Sequence, residues 1–241
     1  MTKKKSVRNY LPVLAFAITL FLFLSVIIIG NILNNERQDF VAEEMQKMYS
    51  DFNSMQTLSL IMGDYDDEMV CIAFESKLQE LDSYIWTLAE KIDKYRIVTE
   101  EFQKDEFYLK QKKTFNENEI FYYLMMRKMN RQCDMSKEPL LFFYQNSFDC
   151  KKCDDQSFVL TDINEDDDDL ENEVAIFSLD VDLNISAIDM MTKYYEIDEY
   201  PCLIFSDGTR MCGMMDKTII ERKLCEINPE LMICEELNQE T

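Results

Sequence analysis

The sequence predicts three consecutive parts: one transmembrane helix, an α-helical region and a mixed α/β domain. The first prediction rests on a long uncharged apolar run near the N-terminus. The second rests on apolar residues that recur at three- and four-residue steps in a stretch with hardly any glycine or proline. The third rests on short apolar runs that alternate with helical patterns. We place these parts, and a C-terminal tail, at residues 1–34, 35–136, 137–228 and 229–241.

The N-terminal apolar run is long enough to cross a bilayer as a helix. Residues 11–30 carry no charge, and a bilayer core needs about 20 apolar residues. A cleaved signal peptide has a shorter apolar core and a small-residue cleavage site, which Ile28-Ile-Gly-Asn-Ile32 does not supply. Residues 1–8 contain four basic residues and no acidic residue, so the positive-inside rule leaves them in the cytoplasm. We therefore expect a single-pass cell-membrane protein with extracytoplasmic C-terminal domains.

Composition excludes several classes of function. The chain has no histidine, which rules out Ser-His-Asp catalysis, Cys-His catalysis and histidine-ligated metals. Its formal net charge is −22, and such an acidic surface is repelled by nucleic acid. Four glycines in 241 residues argue against a glycine-rich phosphate loop. We expect no nucleic-acid partner, no cofactor and no resident metal.

Cys150-Lys-Lys-Cys153 is the strongest candidate for chemistry. It follows a predicted buried strand, Pro139–Gln145, and precedes a predicted helix over Asp154–Asn164. At a helix N-terminus, backbone N–H groups and the helix dipole stabilise a thiolate. Two cysteines with this spacing at a strand-to-helix turn are typical of thiol–disulfide exchange.

The other cysteines permit several arrangements. An exported domain can form disulfides, but eight cysteines allow about 105 complete pairings, so the sequence does not fix them. Cys71 and Cys133 are interpreted either as a staple between two helices or as buried free thiols. The C-terminal tail is expected to be mobile unless Cys234 bonds to Cys225. A zinc site would use Cys150 and Cys153 with Cys202 or Cys212, but a second close pair of ligands is missing.

The helical region is expected to form three or four helices, as a coiled coil or a small bundle. It is available for self-association or for binding a partner. The polar run Lys110–Glu119 is interpreted as a break between helices. Asn116 or Asn118 would then be the N-cap of a helix that continues to Met129.

The signals after the motif complete the α/β domain. They predict a strand, a helix capped by Ser186, a hairpin over the turn signal Asp207-Gly208, and a last helix capped by Asp216. These elements are placed at Val174–Asp180, Ser186–Tyr195, Cys202–Phe205 with Arg210–Gly213, and Lys217–Glu226.

This order of elements over residues 137–228 resembles the thioredoxin family. Cys150-x-x-Cys153 is similar to the family's active-site motif. Tyr200-Pro201-Cys202, directly before the hairpin, is similar to its cis-proline segment. Gly213, followed by a capped helix, is similar to its closing glycine and last helix. The resemblance implies an α/β thioredoxin-like domain in which Pro201 is cis and lies against the disulfide.

The resemblance also implies a mechanism. Cys150 would form a mixed disulfide with a protein thiol or disulfide, and Cys153 would resolve it. Pro201 and the backbone of Tyr200 would hold the substrate chain by short strand pairing. The function expected is that of a membrane-anchored, extracytoplasmic thiol–disulfide oxidoreductase. The alternative is a redox-inert thioredoxin-like scaffold whose helical region binds a partner.

Three departures from the family pattern stand beside the motif. The segment reads Phe148-Asp-Cys-Lys-Lys-Cys153, where thioredoxins usually have Trp-Cys-Gly-Pro-Cys. Many thioredoxins bury a carboxylate in the strand before the motif, and Leu140–Tyr144 offers none. Cys202 replaces the usual threonine after the proline, which would place a third sulfur near the pair.

Overall fold

The computed structural model describes residues 4–61, 67–98, 104–133, 137–145, 150–165 and 173–239. The chain divides into two compact units, Met1–Glu44 and Met45–Thr241. Within the described ranges the elements are α1 (Lys4–Ile61), α2 (Asp67–Val98), α3 (Glu106–Cys133), β1 (Glu138–Tyr144), α4 (Lys151–Glu165), β2 (Val174–Asp180), a 3₁₀ turn (Val181–Leu183), α5 (Ser186–Tyr194), β3 (Cys202–Ile204), β4 (Arg210–Cys212), α6 (Lys217–Ile227) and α7 (Ile233–Gln239).

The first unit contains the apolar part of α1. Among the described helices, α1 alone is long and apolar enough to cross a membrane, and none of its most apolar stretch is buried. Large apolar side chains such as Phe16, Phe21 and Ile29 are more than half exposed. A helix whose apolar side chains face outward along this length has the composition of a lipid-facing segment.

The helical part of the second unit is held by buried methionine, leucine and aromatic side chains. Phe52 contacts the rings of Phe121 and Tyr122 edge to face, at centroid distances of 5.8 and 6.1 Å. Cys71 on α2 and Cys133 at the end of α3 form a disulfide, so the first of the two alternatives for these cysteines is the one observed. The fully buried side chains of this part include Met48, Met55, Phe74, Leu81, Leu88, Met126 and Met129.

The predicted break over Lys110–Glu119 is wrong, because α3 runs through it without interruption. The helix begins earlier, where the Asp105 carboxylate accepts a hydrogen bond from the Tyr108 N–H at 2.9 Å. Asn116 is buried inside the helix and is not an N-cap. Three polar residues of the run, Lys112, Asn116 and Glu119, are buried and face a neighbouring strand.

The α/β part contains a four-stranded mixed sheet in the order β2-β1-β3-β4. β1 and β2 are parallel, from Glu138 beside Val174 to Tyr144 beside Asp180. β3 runs antiparallel to β1, and β4 antiparallel to β3. The predicted strands and helices of this part are confirmed in type and order, but Ser186 is the first residue of α5 and Ile185 is its N-cap. One face of the sheet and the helices against it share a core of Leu140, Phe142, Leu160, Ile163, Val174, Leu203, Phe205, Ile220, Leu224, Leu231 and Cys234.

The C-terminal segment is tied to the domain. Cys225 on α6 and Cys234 on α7 form a disulfide. Leu231 is buried in the core, and the Met232 N–H donates to the Glu173 carboxylate at 2.6 Å. The structure therefore shows the bonded alternative for Cys234.

Side chains of α3 cover the outer edge of β2. The Ser178 N–H donates to Glu119 Oε1 at 3.1 Å, and the Ser178 carbonyl accepts from Asn116 Nδ2 at 3.3 Å. The Asp180 N–H donates to Asn116 Oδ1 at 2.9 Å. An uncovered edge strand leaves a row of backbone groups unpaired. Here the Asn116 amide and the Glu119 carboxyl group replace the backbone of a further strand.

A buried ion pair lies at the same edge. The Lys112 ammonium donates to Asp180 Oδ2, and it lies 5.2 Å from the ring centroid of Tyr144. Burial by itself would lower the pKa of Lys112, but Tyr144 and Asp180 raise it above its usual value. Lys112 is therefore charged in the fold. Removing one partner of such a buried pair is strongly destabilising, because the other charge stays buried alone.

Replacing Asn116 with alanine should lower the free energy of unfolding by about 2–4 kcal/mol, because buried backbone groups of Ser178 and Asp180 lose their partner. Asn118 is a matched control on the same helix, since its amide donates to the Thr114 carbonyl of that helix at 2.9 Å. Asn118→Ala should cost about 0.5 kcal/mol or less. Chemical denaturation of the full chain in detergent, followed by near-UV circular dichroism, measures both. Equal losses would contradict the role of Asn116 at the strand edge.

The Glu119 carboxyl should make stability depend on pH. Burial raises its pKa from the ordinary value of 4.5 to about 8, against the opposing effects of the Ser178 N–H, Lys112 and Asn116. Between these values the folded chain holds a proton that the unfolded chain releases, so the free energy of unfolding falls as pH rises from about 4.5 to about 8. Denaturation across this range should show a steeper fall for the wild type than for Glu119→Gln. Parallel curves would show that Glu119 does not titrate there.

Candidate functional site

Cys150 and Cys153 form a disulfide at the start of α4. Cys150 directly precedes the first residue of the helix, and the Cys153 N–H donates to the Cys150 carbonyl at 3.1 Å. Cys150 is 7% exposed and Cys153 is 2% exposed. Both residues are buried, and Cys150 is the more exposed of the two. Phe148 and Asp149, part of the departure from the thioredoxin motif, lie outside the described residues.

The peptide bond between Tyr200 and Pro201 is cis, as the family resemblance implied. Pro201 is buried, and its carbonyl accepts a hydrogen bond from the Gly213 N–H at 2.7 Å. Gly213 has a φ of 90°, a conformation that glycine adopts without steric cost. The predicted closing glycine therefore holds the proline segment against the end of β4.

A buried glutamine joins the motif helix to the same segment. Gln156 lies on α4 one turn after Cys153 and is fully buried. Its Oε1 accepts from the Met215 N–H at 2.7 Å, and its Nε2 donates to the Met215 carbonyl at 3.3 Å. Met215 is two residues beyond Gly213. The first turns of α4 and the Pro201 segment are thus linked through one side-chain amide and one backbone hydrogen bond.

The sequence interpretation missed Gln156, although a signal was present. Cys153, Gln156, Leu160 and Ile163 recur at three- and four-residue steps, so they share one face of α4. A glutamine within an apolar face that is otherwise buried needs hydrogen-bond partners for both ends of its amide. That requirement points to a backbone segment packed against the helix.

Cys202 is not a free third thiol. It lies directly opposite Cys212 in the hairpin, and the two form a disulfide. Cys202 is fully buried and Cys212 is half-buried. All eight cysteines fall within the described residues and are paired. In this state the cysteines considered for a zinc site are not available as thiolates, which zinc requires.

The ionisable groups at the carboxyl ends of β1 and β2 are Tyr144 and Asp180, joined by Lys112 from α3. Burial raises the pKa of the Tyr144 phenol above its usual value, so this group stays protonated. Glu138 lies at the opposite end of β1, six residues from Tyr144. β1 therefore supplies no carboxylate next to the motif, as the sequence predicted.

Comparison with known proteins gives a weak structural similarity. No protein-family model and no curated protein matches the chain. Among solved structures, it is similar to thioredoxin from Aeropyrum pernix, with 16% sequence identity and a TM-score of 0.31, over 44% of this chain and 82% of that one.

Replacing Gln156 with alanine should lower the free energy of unfolding by about 2–4 kcal/mol, because the Met215 N–H and carbonyl lose their partners in a buried setting. The local effect should be faster hydrogen exchange at residues 213–215. Ser157→Ala is the control, because Ser157 is the next residue on the helix and is exposed. Hydrogen-exchange mass spectrometry of the full chain measures both variants. Unchanged protection of this segment in Gln156→Ala would contradict the link.

Proposed function

We propose that the chain is a membrane-anchored thiol–disulfide oxidoreductase that acts on protein thiols or disulfides outside the cytoplasm. The observation that carries this proposal is the Cys150–Cys153 disulfide at the start of α4, in a domain that also has a cis-proline before its hairpin. Cys150, Cys153 and Pro201 are the proposed site residues. We infer that the domain is thioredoxin-like and that Pro201 lies against the disulfide.

In the oxidising direction, the chemistry consists of two thiol–disulfide exchanges. A substrate thiolate attacks Cys150 Sγ, a mixed disulfide forms, and Cys153 leaves as a thiolate that takes up a proton. A second substrate thiolate then attacks the substrate sulfur of the mixed disulfide. A substrate disulfide forms and Cys150 leaves as a thiolate. Two electrons pass from the substrate to the cysteine pair, and the reducing direction is the reverse.

The start of α4 supports Cys150 as the attacking and leaving group. The unpaired N–H groups and dipole of a helix N-terminus stabilise a thiolate there. Lys151 and Lys152 act in the same direction, whereas Asp154 and Asp155 oppose it. Cys153 is more deeply buried than Cys150, which suits a resolving cysteine that reacts only with the bound intermediate.

The cis-proline segment supports strand pairing with a substrate. The Pro201 carbonyl is already engaged by the Gly213 N–H. We therefore expect the backbone of Tyr200 to pair with the extended substrate segment that carries the reacting cysteine. Main-chain pairing of this kind holds different sequences in one geometry.

Anchoring and compartment are supported by two independent features. α1 is long and apolar enough to cross a membrane, and basic residues precede the apolar run while acidic residues dominate after it. All eight cysteines are paired, and disulfides persist in oxidising environments outside the cytoplasm. Both features favour a cytoplasmic N-terminus and extracytoplasmic C-terminal parts.

A redox-inert scaffold is the second candidate function. The observation that favours it is the low exposure of the Cys150–Cys153 pair, which is typical of a bond that stays closed. Apolar residues also stand exposed on the helical region, with Met69 at 62% and Ile72 at 63%. Under this alternative, those helices bind a partner or a second copy of the chain.

Replacing Cys153 with serine should trap a mixed disulfide between Cys150 and cellular proteins, because the resolving thiol is missing. The trapped species should appear as higher bands on non-reducing gels of isolated membranes and disappear on reduction. Cys150→Ser is the matched control and should trap nothing.

The reduction potential of the pair separates the two candidates on the wild-type chain. Glutathione titration with thiol trapping and mass spectrometry should give a value between about −120 and −270 mV, in the range of exchange catalysts. A value below about −300 mV, or a pair that no reductant opens in the folded chain, would overturn the enzymatic proposal.

A further inference from the structure

Two lysines occupy the turn between the candidate reacting cysteines. Lys151 and Lys152 are the first two residues of α4, and both are exposed. Neither ammonium group has an ion-pair or hydrogen-bond partner in the described structure. Two positive charges without an ion-pair partner in the described structure therefore stand beside Cys150, the more exposed cysteine of the pair.

This placement is unfavourable for the helix itself. The dipole gives the first turn of a helix partial positive charge, which favours Asp and Glu there and disfavours Lys. No acidic side chain of the described residues compensates Lys151 or Lys152 by an ion pair. Asp154 in the first turn offsets part of this cost without forming an ion pair with either lysine in the described structure. Positions that break a local rule are concentrated at functional sites.

The lysines also contrast with the rest of the molecule. The chain has a formal net charge of −22, and the residues that follow them on the helix, Asp154 and Asp155, are acidic. Lys151, Asp155 and Phe158 lie on one exposed face of α4, since they are spaced by three and four residues. Phe158 is 75% exposed. This face thus offers positive charge beside Cys150, a carboxylate about one turn further along, and an apolar ring two turns away.

We propose that Lys151 and Lys152 select substrate segments in which acidic residues flank the reacting cysteine, and that Phe158 contacts an apolar residue further along the same segment. This inference rests on the proposed function, whose substrate class it names. The two sulfurs must come into contact for exchange to occur. The residues on either side of the substrate cysteine are therefore brought next to the two ammonium groups.

The role of the lysines is electrostatic, and they transfer no proton. Pairing with flanking carboxylates strengthens as the mixed disulfide forms at Cys150. Each exposed pair contributes a few-fold at most, so two together should give about a tenfold preference for the acidic segment. The same lysines also favour the Cys150 thiolate, but that effect is equal for every substrate. Selectivity among substrates separates the two roles.

The test uses the oxidised full chain in detergent and three reduced peptides that differ only beside a single cysteine. The flanking residues are two Glu, two Gln or two Lys. The opening rate of the Cys150–Cys153 bond is measured by acid quench, alkylation and mass spectrometry of the Cys153 peptide. Comparing the wild type with Lys151→Gln/Lys152→Gln for each peptide cancels differences in peptide thiol pKa.

The double variant should slow the reaction of the Glu peptide about tenfold more than that of the Gln peptide, and it should leave the Lys peptide unchanged or faster. Equal slowing of all three peptides would overturn the proposal, because the lysines would then act only on Cys150 reactivity. Lys110→Gln/Lys113→Gln is the matched control. It removes two exposed lysines of α3 that also have no partner in the described structure, and it should leave the selectivity unchanged. The same loss of selectivity in this control would also overturn the proposal.

A further variant tests the apolar contact. Phe158→Ser should slow the opening of the Cys150–Cys153 bond by a Glu peptide extended by a leucine and leave the rate with the unextended peptide unchanged. Equal effects on both peptides would show that Phe158 does not contact the substrate segment. If no peptide opens the bond in the wild type, the proposed function itself fails. If the bond opens at the same rate with every peptide, the proposed oxidoreductase function still holds and only the proposed selectivity of Lys151 and Lys152 is refuted.

Discussion

The outer edge of β2 sets the main constraint on this fold. The outermost strand of a sheet has unpaired backbone N–H and carbonyl groups along its free edge. Each of these groups needs a hydrogen-bond partner once it is buried. β1 cannot serve, since it already pairs with the other side of β2. α3 meets the requirement with the side chains of Asn116 and Glu119, and its Lys112 neutralises the Asp180 carboxylate at the end of the strand. The helical region is therefore part of the hydrogen bonding of the sheet, and separating the two would leave charged and polar groups unpaired in the interior.

At the candidate functional site, too, a side chain supplies hydrogen bonds that no neighbouring strand provides. The Pro201 segment and the start of α4 are not neighbours in any strand ladder, so regular backbone hydrogen bonds do not join them. The Gln156 amide supplies both a donor and an acceptor to Met215, and the Gly213 N–H completes the link to Pro201. A side-chain amide is suited to this position because it is uncharged. Its burial needs hydrogen-bond partners but no counter-ion.

The contacts at the edge of β2 and the Gln156 link show which features could be predicted from the sequence and which could not. Local signals sufficed for β1, β2, the hairpin and the helix after Asp216, because apolar runs and the Asp-Gly turn are encoded within a few residues. The Cys-x-x-Cys position and the cis-proline followed from the same local order together with the family resemblance. The run over Lys110–Glu119 was wrongly predicted to be a break between helices. Helical polar residues whose hydrogen-bond partners lie on a distant strand have the same local sequence pattern as such a break. Gln156 was missed for the same reason, since its partner lies 59 residues away in the chain. The cysteine pairings depend on how α2, α3, α6 and α7 pack, which no local pattern encodes.

The four disulfides differ in how much the fold depends on them. A disulfide stabilises mainly by restricting the unfolded chain, and the effect grows with the loop that it closes. Cys71–Cys133 spans 62 residues and joins two helices, whereas the hairpin and C-terminal disulfides span 10 and 9 residues. Cys150–Cys153 spans three residues, within a turn that a backbone hydrogen bond already closes. Opening it releases little additional freedom in the unfolded chain. A bond that must break and reform in every catalytic cycle is best placed where the folded state needs it least, and among the four disulfides Cys150–Cys153 meets that condition.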